Sequence, residues 1–247
     1  MTFTLITICL NSAGTVERCV DSVLAQTRLP DEYLFVDGGS TDGTLEILET
    51  LSSRLRERGV RSRVIRQIRK PGEAGIPSAW NQGIAASSGD IVALLNSDDW
   101  YEPTAIETVM DRFGKNPDME LLCGSVRMVS RDGRPQKLLH PQCLCLAHVL
   151  MPLKHPACFV SRKLYKRIGM YDTAFRISAD YEFAWRCRAG LASVVYMDDC
   201  LVNMEAGGLA NSSRAQARNE TLRIARMYVP YSPFPYLAWL LRFLTGR

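Results

Sequence analysis

Four short strand-like runs, three of them mainly apolar and each followed by a segment of helical periodicity, set the strongest limit on how this chain can fold. Phe3 to Cys9 is apolar and β-branched and reads as a buried strand. Tyr33 to Val36, Arg63 to Ile68 and Ile91 to Leu95 read as three more, the last the most buried. Between the first two, Val16, Cys19, Val20, Val23 and Leu24 fall at i, i+3, i+4, i+7 and i+8, the stripe of an amphipathic helix. Leu48, Leu51 and Leu55 share one face of a second helix, and a third is expected around Ala79 to Ala86. Ile106, Val109, Met110 and Phe113 mark a fourth, with Pro103 suited to its first turn. Such alternation predicts an α/β fold with a mostly parallel sheet and helices on both faces. Ligands then gather at the carboxyl ends of the strands.

The pattern loosens after about Cys123. Arg131-Asp132-Gly133-Arg134 reads as a hairpin turn, Pro135 to Pro156 has no clear period, and a helix is expected to begin near Asp180. With 247 residues, 47% apolar and 23% charged, and with no internal repeat, a single continuous domain is expected. The net charge of +4 is too mild for a nucleic-acid binder. The opening MTFTLITICLNS has no basic leader and no unbroken apolar span, so a cytoplasmic protein with eight reduced cysteines is expected. In that setting the sequons at Asn211 and Asn219 carry little meaning. His140, Cys143, Cys145 and His148 are metal-ligand types, but their spacing lacks the C-x2-C knuckle of zinc sites; packing cysteines and surface histidines account for them better.

Three polar clusters stand where strands end: Thr7 with Asn11, Asp37 to Thr44, and Asn96-Ser97-Asp98-Asp99. The strand-end rule brings them to one crevice. Thr41 or Asp42 serves equally well as an ordinary helix cap. Asp37 directly follows a buried strand and must find a donor, which a base or ribose edge would supply. The adjacent carboxylates of Asp98 and Asp99 repel unless a cation or donors neutralise them. Mg²⁺ or Mn²⁺ held by one or two carboxylates and by substrate phosphates fits that need, and a capped loop ahead of the Pro103 helix fits it as well. No G-x-G-x-x-G follows the first strand and no G-x-x-x-x-G-K-[ST] occurs, which excludes dehydrogenases and P-loop enzymes.

In order along the chain, ITICLNSAGTVERCVDSVLAQT, VDGGSTDGT, GEAGIPSAWNQGIAASSGDIVALLNSDDW and HPACFVSRKLYKRIGMYDTAFRISADYEFAWR together resemble the family 2 glycosyltransferases of the GT-A fold, many of which build bacterial cell-surface polysaccharides. The resemblance implies one GT-A domain over residues 1–230, with a donor-binding half about 1–123, an acceptor-binding half about 124–230, and an aromatic tail at 231–247. It implies Asp37 at the donor base, Thr7 and Asn11 near the nucleotide, and Glu73 and Asn81 in the donor loop. Asn96 and Ser97 would flank the diphosphate, Asp98 would hold Mg²⁺ or Mn²⁺ with Asp99 in support, and Asp180 would be the catalytic base. Two departures stand out: Asn96 replaces the first aspartate of a strict DXD, and Ala74 and Pro77 make the Glu73 loop unusual.

The implied chemistry is an inverting transfer from a nucleotide-diphosphate sugar, a UDP-sugar favoured, to a hydroxyl of a glycan or lipid-linked acceptor. A carboxylate that accepts the hydroxyl proton and a cation that neutralises the departing diphosphate suit one in-line displacement. Apart from the resemblance, Asp180 reads equally as an acid at a helix start. A non-catalytic glycan- or partner-binding module of the same fold is the alternative. A sugar nucleotidyltransferase is weaker, because Asn11 to Thr15 is no arginine-containing glycine loop. His155 faces the acceptor or the donor sugar, or is structural. Gly207-Gly208-Leu209-Ala210 resembles the glycine-containing loop that follows the base in relatives, suited to a lid. The basic run Arg54 to Lys70 is a solvated face, or meets anionic lipid or donor phosphate. The tail from Tyr231 to Leu244 is too short to span a bilayer; it lies at a membrane interface, packs on the domain or meets a second copy.

Overall fold

The computed structural model describes residues 1–130, 132–206 and 213–245. Strands β1 (Phe3–Cys9), β2 (Glu32–Asp37), β3 (Arg61–Arg66) and β4 (Ile91–Leu94) pair in parallel in the order β3-β2-β1-β4. Helices α1 (Val16–Leu24), α2 (Thr44–Glu57) and α3 (Gly75–Ala86) connect them, and α4 (Ala105–Lys115) follows β4. Successive side chains of a strand point to opposite faces, so each continuous apolar run feeds two cores. Phe3, Leu5, Tyr33, Phe35, Ile91 and Ala93 pack with α1, α2 and α4. Ile6, Leu34, Val36, Val92 and Leu94 pack with α3 and the later helices. Each fully buried large side chain contributes about 1.5–3 kcal/mol, which makes a one-residue register slip prohibitive. Helix α3 lies so close to β1 that a Cβ on Gly83 would stand 2.5 Å from Ile6 Cγ2.

Beyond β4 the sheet continues with strands of mixed direction. β8 (Cys158–Ser161) runs antiparallel to β4, β6 (Leu121–Val129) antiparallel to β8, and β9 (Val194–Glu205) parallel to β6. The short β5 (Trp100–Tyr101) borders β9, and β7 (Pro135–Leu139) forms a hairpin with β6. Helices α5 (Arg162–Ile168), α6 (Ala179–Ala189), α7 (Arg214–Tyr228) and α8 (Phe234–Thr245) complete a single-domain α/β fold with helices on both faces of the sheet. The directions matter for the site. β8 runs against β4, so its first residue, Cys158, lies at the edge where β4 ends. β6 and β9 run with β4, which carries Glu205 to that same edge.

The segment from Pro135 to Pro156, without period in the sequence, holds β7 and the 3-10 turn Leu144–His148. β7 is an exposed edge strand, so no buried face imposes alternation on it. Pro103 sits just ahead of α4, whose cap is Thr104. The expected hairpin turn joins β6 to β7, with Arg131 itself outside the described residues, as are Gly207 to Ala210. All eight cysteines are free thiols. Among the described residues no helix is long and apolar enough to cross a membrane.

Candidate active site

Three strand-end loops are bonded to one another. β1, β2 and β4 are neighbours, so the chain leaves the sheet three times along one edge. Asn11 adopts a left-handed φ of 52°, which asparagine tolerates better than most residues. In that conformation its backbone N–H donates to Ser40 Oγ at 2.9 Å and its Oδ1 accepts from the Thr41 N–H at 2.9 Å. Ser12 Oγ lies 2.8 Å from Ser97 Oγ, tying the first loop to the third. The Ser12 and Ala13 amides donate to Thr44 Oγ1 and Asp42 Oδ2, fixing the start of α2 to the same point. Asp42 also accepts from Thr44, and these bonds hold its carboxyl below the usual range.

Within this cluster several residues expected to meet a ligand are already engaged. Asp37 is buried and takes its donors from its own turn: the Gly39 and Ser40 amides at 3.0 and 3.2 Å and Ser40 Oγ at 2.5 Å. The donors that its burial demands are therefore present within its own turn. Thr7 is wholly buried, with its hydroxyl 2.9 Å from that of Tyr33, so it lies beneath the site and does not line it. Asn81 bonds both ways to the backbone of Tyr171, at 2.8 and 2.9 Å, and pins α3 to the segment ahead of α6. Glu73 accepts from the Lys70 amide and from Ser78 Oγ, closing its own loop.

The Asn96–Asp99 loop divides its two acids. Asp99 is buried, and Asn96 Nδ2 donates to its Oδ2 at 3.0 Å while, among the described residues, its Oδ1 has no hydrogen-bond partner. Burial, and then the charge of Asp98, push its proton affinity well up. Asp98 is only partly buried, and among the described residues no other side chain donates to its carboxylate. Desolvation raises its proton affinity, the nearby Glu205 raises it further, and Arg18 lowers it.

Arg18 was not singled out in the sequence. One of its nitrogens donates to the Asp98 carbonyl at 2.9 Å and pairs with Glu205 at 2.6 Å, and its guanidinium lies 4.0 Å from the Trp100 ring centroid. It thereby joins α1, the acidic loop and the end of β9. Its partner Glu205 is 187 residues away, and no spacing rule reaches so far.

The second half brings its own residues to this edge. Asp180 lies in the first turn of α6, partly buried, and its charge acts on the Cys158 thiol at the start of β8. Loss of solvation, and to a lesser degree the charge of Glu220, push Asp180 up to about 6. Glu220 on α7 accepts from the amides of Arg176, Ile177 and Ser178, the residues that lead into α6. His155 stacks on Trp80 at 4.4 Å and lies 3.1 Å from the Tyr171 hydroxyl. Burial takes it down to about 4, so it is neutral near pH 7.

Other candidates disperse. His140 meets Ser125 and Asp198, His148 faces Phe234, and Cys143 and Cys145 are exposed. Among the described residues no three His, Cys, Asp or Glu side chains gather as a metal cage. In the basic run, Arg54 pairs with Asp21, Arg56 bonds Ser52 and Ser53, and Arg63 donates to the Ala86 carbonyl.

A parallel sheet with polar strand-end loops bonded along one edge defines the class of α/β proteins that bind ligands in a strand-end crevice. Within it, the model of glycosyl transferase family 2 matches residues 4–177, and the chain belongs to that family. It is 32% identical over 219 residues to the PGL/p-HBAD biosynthesis glycosyltransferase of Mycobacterium tuberculosis, covering 85% of this chain and 79% of that protein. It is 37% identical over 123 residues to the chondroitin synthase of Pasteurella multocida, covering 50% of this chain and 12% of that one. Among solved structures, S. aureus TarS superposes with a TM-score of 0.67 at 18% identity, over 94% of this chain and 40% of that one. TarS 1-349 in complex with UDP-GlcNAc gives 0.70 at 20%, over 94% and 67%. The structural likenesses speak for the fold, which is GT-A.

Proposed function

We propose that this chain is an inverting glycosyltransferase that moves a sugar from a nucleotide-diphosphate sugar, a UDP-sugar in the first instance, to a hydroxyl of a glycan or lipid-linked acceptor. The observation that supports the reading is the bonding of three strand-end loops at one sheet edge, through Ser12–Ser97 and Asn11–Ser40. The TarS complex, which holds UDP-GlcNAc, supports the choice of donor. Residues 1–123 form the donor half and 124–230 the acceptor half.

Each residue takes a role in this reading. Asp180, with its proton affinity raised to about 6, is largely deprotonated at pH 7 and still basic enough to accept a proton from an attacking hydroxyl. We assign His155, neutral and 3.1 Å from the Tyr171 hydroxyl, to the acceptor side. Asn11, Asp37, Glu73, Asn81 and Thr7 shape and brace the donor pocket.

The Asp98 carboxylate suits a hard divalent cation. It is partly desolvated, and substrate phosphate oxygens would supply the further ligands such an ion needs. Mg²⁺ or Mn²⁺ is the ion in this reading. The chemistry such an ion supplies when bound is neutralisation of the charge growing on the diphosphate. Asp98 would hold it directly, and the buried Asp99 would act through Asn96. We place the protein in the cytoplasm, peripheral to the membrane that carries the acceptor.

A thermal-shift panel of UDP-, GDP- and dTDP-sugars, with and without Mn²⁺, tests the reading. Stabilisation by UDP-sugars that requires Mn²⁺ and disappears in Asp98→Ala is expected; a flat panel across all donors contradicts it.

A further inference from the structure

Helix α8 is apolar on both sides, and the described fold covers only one of them. Pro235, Ala238 and Trp239 turn inward, lining one crevice with Tyr181 and Ala225. On the outward side Leu237 is 52% exposed, Phe243 57% and Leu244 70%, with Phe234, Tyr236 and Leu240 beside them. No charged residue interrupts Tyr231 to Leu241. A surface helix normally turns a polar face to water, and a helix apolar all round is covered on both sides. A contiguous apolar patch of this kind marks an interaction surface.

Its surroundings identify the partner. The Arg218 guanidinium lies 5.6 Å from the Phe243 ring and that of Arg226 lies 5.9 Å from the Tyr236 ring. Residues 213–247 hold six arginines and one glutamate, a net +5, whereas the preceding residues carry a net −1. The net positive charge of the sequence is thus concentrated in the segment that carries α7 and α8. In a two-fold pairing of α8 with a second copy, these arginines would face their own counterparts. An anionic lipid surface accepts both features at once: leucines and phenylalanines enter the acyl boundary, and aromatic rings and arginines stay at headgroup level.

We infer that the outward face of α8, with Arg218 and Arg226 of α7, docks this protein on an anionic bilayer. The inference names the surface behind the peripheral placement proposed above and rests on that placement. It also has a consequence for the site. Glu220, on α7 between the two arginines, holds the backbone that leads into α6, so docking fixes the height of Asp180 above the lipid.

Co-sedimentation with phosphatidylcholine vesicles, with and without about a third phosphatidylglycerol, tests it without donor or acceptor. The intact chain is expected to pellet with the anionic vesicles only, and less so as salt rises. Leu240→Asp with Leu244→Asp, and separately Arg218→Glu with Arg226→Glu, are expected to cut the bound fraction roughly tenfold at unchanged melting temperature. If the intact chain stays in the supernatant, the peripheral placement and the inference both fail. If it binds and the variants bind equally, the placement stands and the α8 surface is wrong. A dimer in light scattering that the leucine variants dissolve assigns the face to a second copy and overturns the inference.

Discussion

Glu220 holds the approach to Asp180: its two carboxylate oxygens accept from three successive backbone amides, at 3.1, 2.8 and 2.9 Å, and its charge adds to the raised proton affinity of the aspartate. One residue on α7 thus both positions and tunes a residue on α6.

Activity is expected to follow the ionisation of Asp180. A base must be deprotonated to act, so the rate should level off above about pH 6 and fall about tenfold per unit below it. Glu220→Gln removes the neighbouring charge, and the acid limb should move to lower pH. The lost charge-assisted bonds should cost about 1–2 kcal/mol, or roughly 2–8 °C in Tm. A pH–rate profile of both proteins checks this; an unmoved limb would separate Glu220 from the titration.

Stability should run the other way. A carboxyl whose folded value is raised binds its proton more tightly in the native state, so Asp180 destabilises the fold progressively from about pH 4 to about pH 6. Asp180→Asn should therefore melt higher than the parent at pH 7.5, by on the order of 1–2 kcal/mol, and the gain should vanish by about pH 4. Calorimetry at the two pH values measures it.

Asn96 departs from a strict DXD for a reason visible in the fold: its amide donates to the buried Asp99. Asn96→Asp would set a second carboxylate against that oxygen and remove the donor. A loss of about 1–3 kcal/mol in the presence of chelator is expected, with partial recovery in Mn²⁺. Equal melting curves with and without the ion would refute this explanation.

Arg18 braces the acidic loop by its bonds to Asp98 and Glu205. Arg18→Ala should raise the donor KM several-fold with a smaller change in kcat, because it removes positioning and not a reacting group. Arg18→Lys should restore only part, since one ammonium cannot reproduce both contacts and the stack on Trp100. Full recovery by lysine would reduce the role to charge alone.

Most of the parallel half was legible because β1, β2 and β4 are buried on both faces, so Phe3 to Cys9 is broken only by threonines and Ile91 to Leu94 is wholly apolar. β7 was not, because an exposed edge strand such as PQKLL carries no pattern. The meeting of the three loops followed from strand order. What escaped was how each polar residue is satisfied: Asp37 by its own turn, Thr7 by Tyr33, Asn81 by the backbone of Tyr171. Arg18, Glu205 and Glu220 stayed hidden for the same reason, since their partners are set by tertiary contact. Asp180 stood out only through family motifs, because an acid at a helix start is ordinary in isolation, whereas the Asp98–Asp99 pair at a strand end fitted a cation site and a capped loop equally well.

The central claim is that Asp180 acts on the chemical step and not on donor binding. Release of UDP from the UDP-sugar that gives the largest thermal shift, measured beside calorimetric binding of that donor in the parent chain and in Asp180→Asn, tests it most directly. The account predicts turnover lowered by at least about 10²-fold with the donor Kd unchanged within about twofold. Undiminished turnover in the variant, or loss of turnover only in step with donor binding, would contradict it.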